Sequence, residues 1–109
     1  MSKTAGSKKR ESKIQEDVIE YLTSRGAYVV KIHVGSYQTQ GVSDIVCCYR
    51  GRYIALELKR PNEEPTRLQE YRIEQTINAG GIAKVVSSVE EVKEVLYDID
   101  TVQWNSKPL

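Results

Sequence analysis

Two acids and a lysine stand in a part of the sequence that otherwise has the composition of buried strands. Asp44 directly precedes the apolar run from Ile45 to Tyr49, and Glu57 and Lys59 lie at the end of a second apolar run. Carboxylates close to an amine are groups that proteins use to hold a metal ion and to assist an attacking water. These three residues are therefore the first candidates for chemistry in this chain.

A two-residue turn determines how the three side chains meet. Arg50-Gly51 lies between the two apolar runs and has the composition of a tight turn, so the runs are predicted to form an antiparallel hairpin. With the turn centred there, Asp44 lies opposite Glu57, and directly opposed Cβ atoms are about 5 Å apart. Lys59, two residues beyond Glu57, lies on the same face. The spacing predicts that two acids and one amine converge at one end of the hairpin.

The residues that flank the acids favour a metal ion as their partner. Apolar side chains alternate to both faces of the hairpin, which indicates a strand pair covered on both sides. Buried carboxylates need a partner, and without a His or Cys cluster their oxygens suit Mg²⁺, with Mn²⁺ as a substitute. Lys59 would then hold or deprotonate a water, or offset charge on a phosphate, in metal-assisted phosphodiester hydrolysis. The alternative is that the acids are simply solvated at a strand end.

The same residues resemble a known active-site signature. Gly41-Val-Ser-Asp44, followed after twelve residues by Glu57-Leu58-Lys59, resembles the motif of the PD-(D/E)XK nuclease superfamily. Within that superfamily the chain most resembles the small stand-alone VRR-NUC (virus-type replication-repair nuclease) domains of phages and bacteria. Ser43 stands where that family usually has Pro. Further matching segments are Glu11-Ser-Lys-Ile-Gln15, the strand from Ile54 to Pro61, Thr66-Arg-Leu-Gln69 and Ala79-Gly-Gly-Ile-Ala83.

The resemblance implies specific roles. Asp44, Glu57 and the backbone carbonyl of Leu58 would bind the metal, and Lys59 would serve the water. Glu11 is the candidate for a further acid that reaches the metal. It lies three residues before Ile14 and seven before Val18, which places it on the inward side of the first helix.

Two glutamines, Gln15 and Gln69, could each serve in a helix cap or at the active site. Ser12 and Gln15 have the spacing of a capping box, which would start the first helix after Glu11 and leave Gln15 as the better-placed polar group. Thr66 and Gln69 form a second capping-box pattern, whereas the resemblance places a Gln beside the active site. We therefore expect the capping role and the active-site role to compete for the Gln69 side chain.

Composition indicates a single globular domain over residues 1–109, with a flexible basic arm at 1–7 and a C-terminal tail at 100–109. The net charge of +1 is low for a nucleic-acid-binding protein, although residues 1–10 carry four basic residues and no acid. No apolar run has the length of a membrane span or the pattern of a signal peptide. The expected location is cytoplasmic, in a bacterium or encoded by a phage in a bacterial host.

Adjacent cysteines occur at positions 47 and 48. They lie in a predicted strand, so their side chains point to opposite faces and cannot pair with each other. We expect both Cys47 and Cys48 to be small buried apolar residues.

Hydrophobic periodicity and turn residues predict an α/β fold with a restriction-endonuclease-like core. The order is helix-strand-strand-strand-helix-strand-helix, with a mixed four-stranded sheet flanked by helices. The predicted elements are a helix from about residue 8 to Arg25, strands at 27–34, 45–49 and 53–58, a helix from Thr66 to about Ala79, a strand at 82–86, and a helix from Ser87 or Ser88 to about Tyr97.

The function expected from the residues and the resemblance is a Mg²⁺-dependent, structure-selective DNA endonuclease. Stand-alone VRR-NUC proteins behave as homodimers on branched DNA such as Holliday junctions, so the resemblance implies that substrate and assembly. One alternative is a non-catalytic DNA-binding or assembly module that keeps the nuclease fold. Another is an α/β interaction domain whose charges are solvated.

Overall fold

The computed structural model describes the backbone of residues 3–32 and 44–102, and the side chains of these ranges from residue 12 onward. Three helices and four strands lie in these ranges. They are α1 (Lys3–Ser24), β1 (Tyr28–Lys31), β2 (Ile45–Tyr49), β3 (Arg52–Leu58), α2 (Arg67–Asn78), β4 (Ile82–Val86) and α3 (Val89–Thr101). The predicted order of elements is confirmed. None of the helices described is long and apolar enough to cross a membrane.

The predicted turn joins β2 to β3. Arg50 and Gly51 both have positive φ, 51° and 80°, which is the conformation of the two-residue hairpin turns whose twist matches that of the strands. A positive φ is easy for glycine and costly for arginine. The Arg50 guanidinium donates to Asp100 Oδ1 at 2.8 Å, which ties the turn to the end of α3.

The four strands form one sheet in the order β1-β2-β3-β4. The first three are antiparallel neighbours, and β3 pairs in parallel with β4. Because α2 connects the parallel pair, it crosses over one face of the sheet. The predicted mixed four-stranded sheet is confirmed.

The main core lies between the sheet and the pair α1 and α3. The α3 side chains Val92, Val95, Leu96 and Ile99 are buried, at the i, i+3, i+4, i+7 spacing of one helix face. They pack with Val18 and Leu22 of α1, and with the strand residues Ile45, Cys47, Tyr49, Ile54, Leu56 and Val86. This burial fixes one face of the hairpin, so its other face carries Glu57.

The other face is covered by α2 over β3 and β4 only. No residue of α2 is fully buried, and its inner side approaches the sheet beside Gly81. A Cβ at Gly81 would lie 3.0 Å from Thr76 Cγ2 and 3.1 Å from Tyr53 Cδ2, so this glycine permits the close approach. Residues 54–57 are consequently buried on both faces, whereas β1 and part of β2 are open on this side.

The cysteine prediction was half wrong. Cys47 is buried in the core, where burial and the neighbouring Cys48 raise the pKa of its thiol to about 11. Cys48 is exposed, because it points to the part of the sheet face that α2 does not cover. The expectation that the hairpin is covered on both sides holds for residues 54–57 of β3 and not for Tyr53 or for β2.

Both terminal helices are longer than the sequence predicted. α1 begins at Lys3, so the segment 1–7 is helical from Lys3 onward and Ser12 lies inside the helix instead of capping it. Lys, Arg and Glu are good helix formers, and one glycine in such a segment costs only about 1 kcal/mol. α3 continues to Thr101 because the apolar spacing extends to Ile99. Trp104 and the rest of the predicted tail from 103 to 109 lie outside the described residues, as do residues 33 and 34 of the first predicted strand.

Asp100 joins α3 to the hairpin and to α1. Its carboxylate accepts hydrogen bonds from Arg25, Arg50 and the Tyr49 hydroxyl at 2.8, 2.8 and 2.9 Å. Burial acts to raise the pKa of Asp100, but the hydrogen bonds from Arg50, Tyr49 and Arg25 outweigh it, and the pKa is lowered. The sequence prediction had assigned Asp100 to the tail.

Candidate active site

The end of the hairpin brings the predicted site residues together. The last pair of the β2–β3 ladder is Ile45 with Leu56, and the next step places Asp44 level with Glu57. The Asp44 carbonyl accepts a hydrogen bond from the Ile32 backbone N–H at 2.9 Å, so the end of β1 fixes the backbone here. The pairing predicted from the Arg50-Gly51 turn is confirmed.

The Asp44 side chain reaches across to the neighbouring strand. Its Oδ2 accepts a hydrogen bond from the Leu58 backbone N–H at 2.8 Å. This bond holds the carboxylate at the end of β3, beside Glu57. The sequence analysis did not predict it, although the register that places residue 44 opposite residue 57 also brings residue 58 within reach.

Glu57 is the one charged residue among the described side chains that is buried, with 5% of its surface exposed. Burial raises the pKa of its carboxyl to about 8; the charge of Asp44 and a hydrogen bond between the two carboxyl groups act in the same direction. The Lys59 ammonium acts the other way and lowers it. The three predicted residues therefore lie close enough to interact electrostatically.

Lys59 continues the line of β3 past the end of the strand. Its backbone N–H donates to the Val86 carbonyl at 3.0 Å, so β4 holds this residue in the extended alignment. The side chain is half-buried and lies within electrostatic reach of Glu57. An amine is thereby placed beside two carboxyl groups on a rigid part of the sheet.

Gln69 links the site to the start of α2. Its Nε2 donates to Glu57 Oε2 at 2.6 Å, while its Oε1 accepts from the Thr66 backbone N–H at 2.9 Å. The Thr66 hydroxyl accepts from the Gln69 N–H at 3.1 Å, which completes the predicted capping box. The expectation that the two roles compete was wrong, because opposite ends of one amide perform them.

The remaining predicted residues are placed as follows. The Leu58 side chain packs on the core, and its N–H serves Asp44. Glu11 lies on α1, but its side chain is outside the described part of the structure. Gln15 is half-buried on the same helix. Among the described residues, no group of three or more His, Cys, Asp or Glu side chains is placed to hold a metal ion.

The donor set fits a hard divalent cation. The carboxyl groups of Asp44 and Glu57 face each other, and burial disfavours the negative charge of Glu57, so a cation beside them would stabilise Glu57 in its ionised form. Carboxyl oxygens are hard donors, which suit Mg²⁺ or Mn²⁺ better than the softer metals. The arrangement can thus bind a cation next to an amine at one rim of the sheet.

Comparison with solved structures shows the fold. A VRR_NUC domain superimposes with a TM-score of 0.70 and 23% sequence identity, over 83% of this chain and 97% of that chain. This chain has the fold of a VRR_NUC domain. The Archaeoglobus fulgidus protein Hjc, a Holliday junction resolvase from an archaeal hyperthermophile, superimposes with a TM-score of 0.51 and 22% identity, over 71% of this chain and 67% of that chain. No protein-family model and no curated protein matches the sequence.

Proposed function

We propose that the chain is a metal-dependent endodeoxyribonuclease of the VRR-NUC type. The observation that carries the proposal is the convergence of Asp44, the buried Glu57 and Lys59 at one end of the hairpin. The likeness to a VRR_NUC domain supports it, because the fold of that domain provides the same sheet and helices.

The residues proposed to hold the metal are Asp44, Glu57, Glu11 and the Leu58 carbonyl. Mg²⁺ bound to them would supply Lewis-acid polarisation of a phosphate oxygen and would lower the pKa of a bound water. Glu57 must lose a proton on binding the ion, since burial and Asp44 hold its pKa at about 8.

The other side chains position and charge the site. The Lys59 ammonium donates a hydrogen bond that orients the attacking water, and its positive charge offsets the negative charge that develops on the phosphate. Gln69 holds Glu57 Oε2 through a 2.6 Å hydrogen bond, so the carboxylate is oriented by α2 before any ligand arrives.

The proposed substrate is branched DNA such as a Holliday junction. The chain shares its fold with a protein described as a Holliday junction resolvase, which supports this class of substrate. The proposed feature recognised is the shape of the DNA, because contacts to phosphates position a protein on DNA without reading base sequence. We also propose a homodimer, because two active sites related by a two-fold axis match the symmetry of a four-way junction.

Incubation with labelled four-way, flap and linear DNA, in Mg²⁺ or in EDTA, tests the proposal. The expected result is cleavage of branched DNA in Mg²⁺ or Mn²⁺ and none in EDTA. Cleavage that persists in EDTA would contradict the metal mechanism. Binding of branched DNA without cleavage in any divalent metal would identify a non-catalytic DNA-binding module instead.

A further inference from the structure

Two tyrosines lie on the part of the sheet that α2 leaves open. Tyr28 pairs with Cys48, and Cys48 pairs with Tyr53, so the three side chains project from the same face in a row across β1, β2 and β3. Tyr28 is 74% exposed and Tyr53 is 52% exposed. Since adjacent strands lie about 4.8 Å apart, the two rings are separated by roughly 10 Å.

A groove of about 780 Å³ runs between this face and α2. Val46 and Tyr53 lie at its floor, Arg72 and Gln75 line it from α2, and Arg52 lines it from β3. Its lining residues, all within the described part of the chain, include two arginines and no acid. Helical spacing places the α2 acids Glu70 and Glu74 on the flank opposite Arg72.

The open face of β2 leads from the groove to the candidate active site, because α2 covers residues 54–57 of β3. Val46, which lines the groove, lies on the same face as Asp44, two residues away. Tyr53 and Glu57 are four residues apart on β3, which corresponds to about 13 Å. One strand of B-form DNA advances about 3.4 Å per nucleotide, so the separation corresponds to about four nucleotides of stacked DNA. A strand cut at Glu57 would therefore carry its neighbouring nucleotides over Tyr53.

We propose that this open sheet face binds unpaired nucleotides next to the cleaved bond, with bases stacked on Tyr53 and Tyr28 and a phosphate held by Arg72. Exposed aromatic side chains on the face of a sheet stack unpaired bases in single-strand-binding modules. The inference rests on the proposed nuclease function and adds to it a site that selects unpaired DNA. The unpaired bases come either from a flap or from base pairs that open at a branch point.

A second copy of the chain fits this face less well. In a two-fold interface centred on the groove, the same surface meets itself, so the arginines of the two copies would face each other. The described lining of the groove offers no carboxylate to pair with Arg72 of the opposite copy. Phosphates supply the opposite charge, which favours a nucleic acid as the occupant.

Fluorescence anisotropy with labelled oligothymidylate, measured in EDTA with the full chain, tests binding without cleavage. Tyr53→Leu is expected to weaken binding about tenfold, and Tyr53→Phe to leave it nearly unchanged, because the ring provides the stacking surface. Arg72→Gln is expected to weaken binding a few-fold. It should also reduce the slope of the logarithm of the binding constant against the logarithm of the salt concentration by the amount expected for about one phosphate contact. Matched controls are Tyr97→Leu on α3 and Lys84→Gln on β4, both exposed and on the α3 side of the sheet; they should bind like the wild type.

Cleavage in Mg²⁺ separates the sources of the unpaired bases. At low protein concentration, Tyr53→Leu should slow cutting of a flap or a four-way junction more than cutting of linear duplex. If only the cutting of the flap slows, the ligand is a single strand that exists before the protein binds.

The inference is overturned if Tyr53→Leu binds oligothymidylate within about twofold of the wild type. It is also overturned if the control variants lose as much affinity, or if Tyr53→Leu changes only the oligomeric state in sedimentation. If the wild-type protein binds the oligonucleotide and cuts no DNA, the nuclease function is contradicted, whereas the binding of unpaired bases at the open face is not.

Discussion

Glu57 is the residue on which the electrostatics of the site depend. In the metal-free protein its carboxyl group is largely protonated at neutral pH, since burial and Asp44 raise its pKa to about 8. A buried carboxyl that titrates near neutral pH is common at functional sites and rare elsewhere. The sequence predicted the convergence of Asp44, Glu57 and Lys59 because a two-residue turn fixes the register of a hairpin.

The raised pKa predicts how stability depends on pH. The folded state binds the Glu57 proton up to about pH 8, whereas the unfolded chain releases it near 4.5. The contribution of this group to stability is therefore complete below about pH 4.5 and is lost as the pH rises through 8. In Glu57→Gln the group cannot ionise, so this variant should be more stable than the wild type at about pH 9. The difference in unfolding free energy should be of the order of a few kcal/mol, and smaller at about pH 5.

Urea unfolding of both proteins between these pH values, in EDTA, provides the measurement. Addition of Mg²⁺ at the higher pH should restore the stability of the wild type and leave that of Glu57→Gln unchanged, because the ion binds the ionised carboxylate. Parallel stability curves for the two proteins across the whole pH range would contradict the raised pKa.

Removal of either acid should abolish cleavage. Asp44→Asn and Glu57→Gln are expected to lose metal-dependent cutting while folding and DNA binding are largely kept, since each variant removes a proposed ligand and preserves the shape of the side chain. Lys59→Met should also stop cleavage. The measurement is single-turnover cleavage of branched DNA, with circular dichroism as the folding control; full activity of Lys59→Met would exclude this residue from the reaction.

The exposure of Cys48 could not be predicted from its neighbours in the sequence. Its apolar neighbours predicted burial on both faces of β2, but the burial of a strand face depends on which helix lies over it. α2 covers β3 and β4, and neither periodicity nor composition of the sequence fixes that lateral position. The prediction was therefore correct for Cys47 and wrong for Cys48.

α2 is the element that connects local sequence to the site. Thr66 caps it, and Gln69 both completes the cap and donates to Glu57. The bounds of α2 and β4 were predicted closely because a capping box and a glycine pair mark their ends. α1 and α3 extend further than predicted, because no capping signal marks Lys3 and the last buried residue of α3, Ile99, lies beyond the predicted end at Tyr97.

The capping box of α2 contributes to stability and also positions Gln69 beside Glu57, so one substitution should affect both stability and cleavage. Thr66→Ala should lower the free energy of unfolding by about 0.5–2 kcal/mol, whereas Thr66→Ser should retain most of it because the hydroxyl remains. Loss of the cap also frees the first turn of α2, so Gln69 should hold Glu57 less firmly and cleavage should slow in Thr66→Ala. Urea midpoints and single-turnover rates provide the two measurements. Equal stability of the Ala and Ser variants would show that the cap contributes nothing.

At the scale of the whole molecule, the hairpin separates two charged regions. Asp44, Glu57 and Lys59 lie at its open end, and Asp100 holds Arg25 and Arg50 near its turn. The fold could be predicted from the sequence because the hairpin, the crossover helix and the parallel strand each have a local signal. The homodimer remains a prediction.

Mixed dimers test the proposed assembly on a cruciform plasmid. A wild-type homodimer should cut both strands of the junction and give linear product. Mixing with an excess of Asp44→Asn should convert the product to nicked circles, because a mixed dimer has one active site. Glu16→Gln, at an exposed position of α1, is the control and should leave the linear product unchanged. Linear product at every ratio would contradict a dimer that acts as one unit.

Calorimetric titration of the protein with Mg²⁺ at pH 7, in two buffers of different ionisation enthalpy, tests the proposed metal site most directly. The wild type should bind the ion and release close to one proton, because Glu57 with its pKa of about 8 must ionise to become a ligand. Glu57→Gln should bind more weakly and release none. Wild-type binding that is no tighter than that of Glu57→Gln would contradict the assignment of Asp44 and Glu57 as the metal site, and binding that releases no proton would contradict the raised pKa of Glu57.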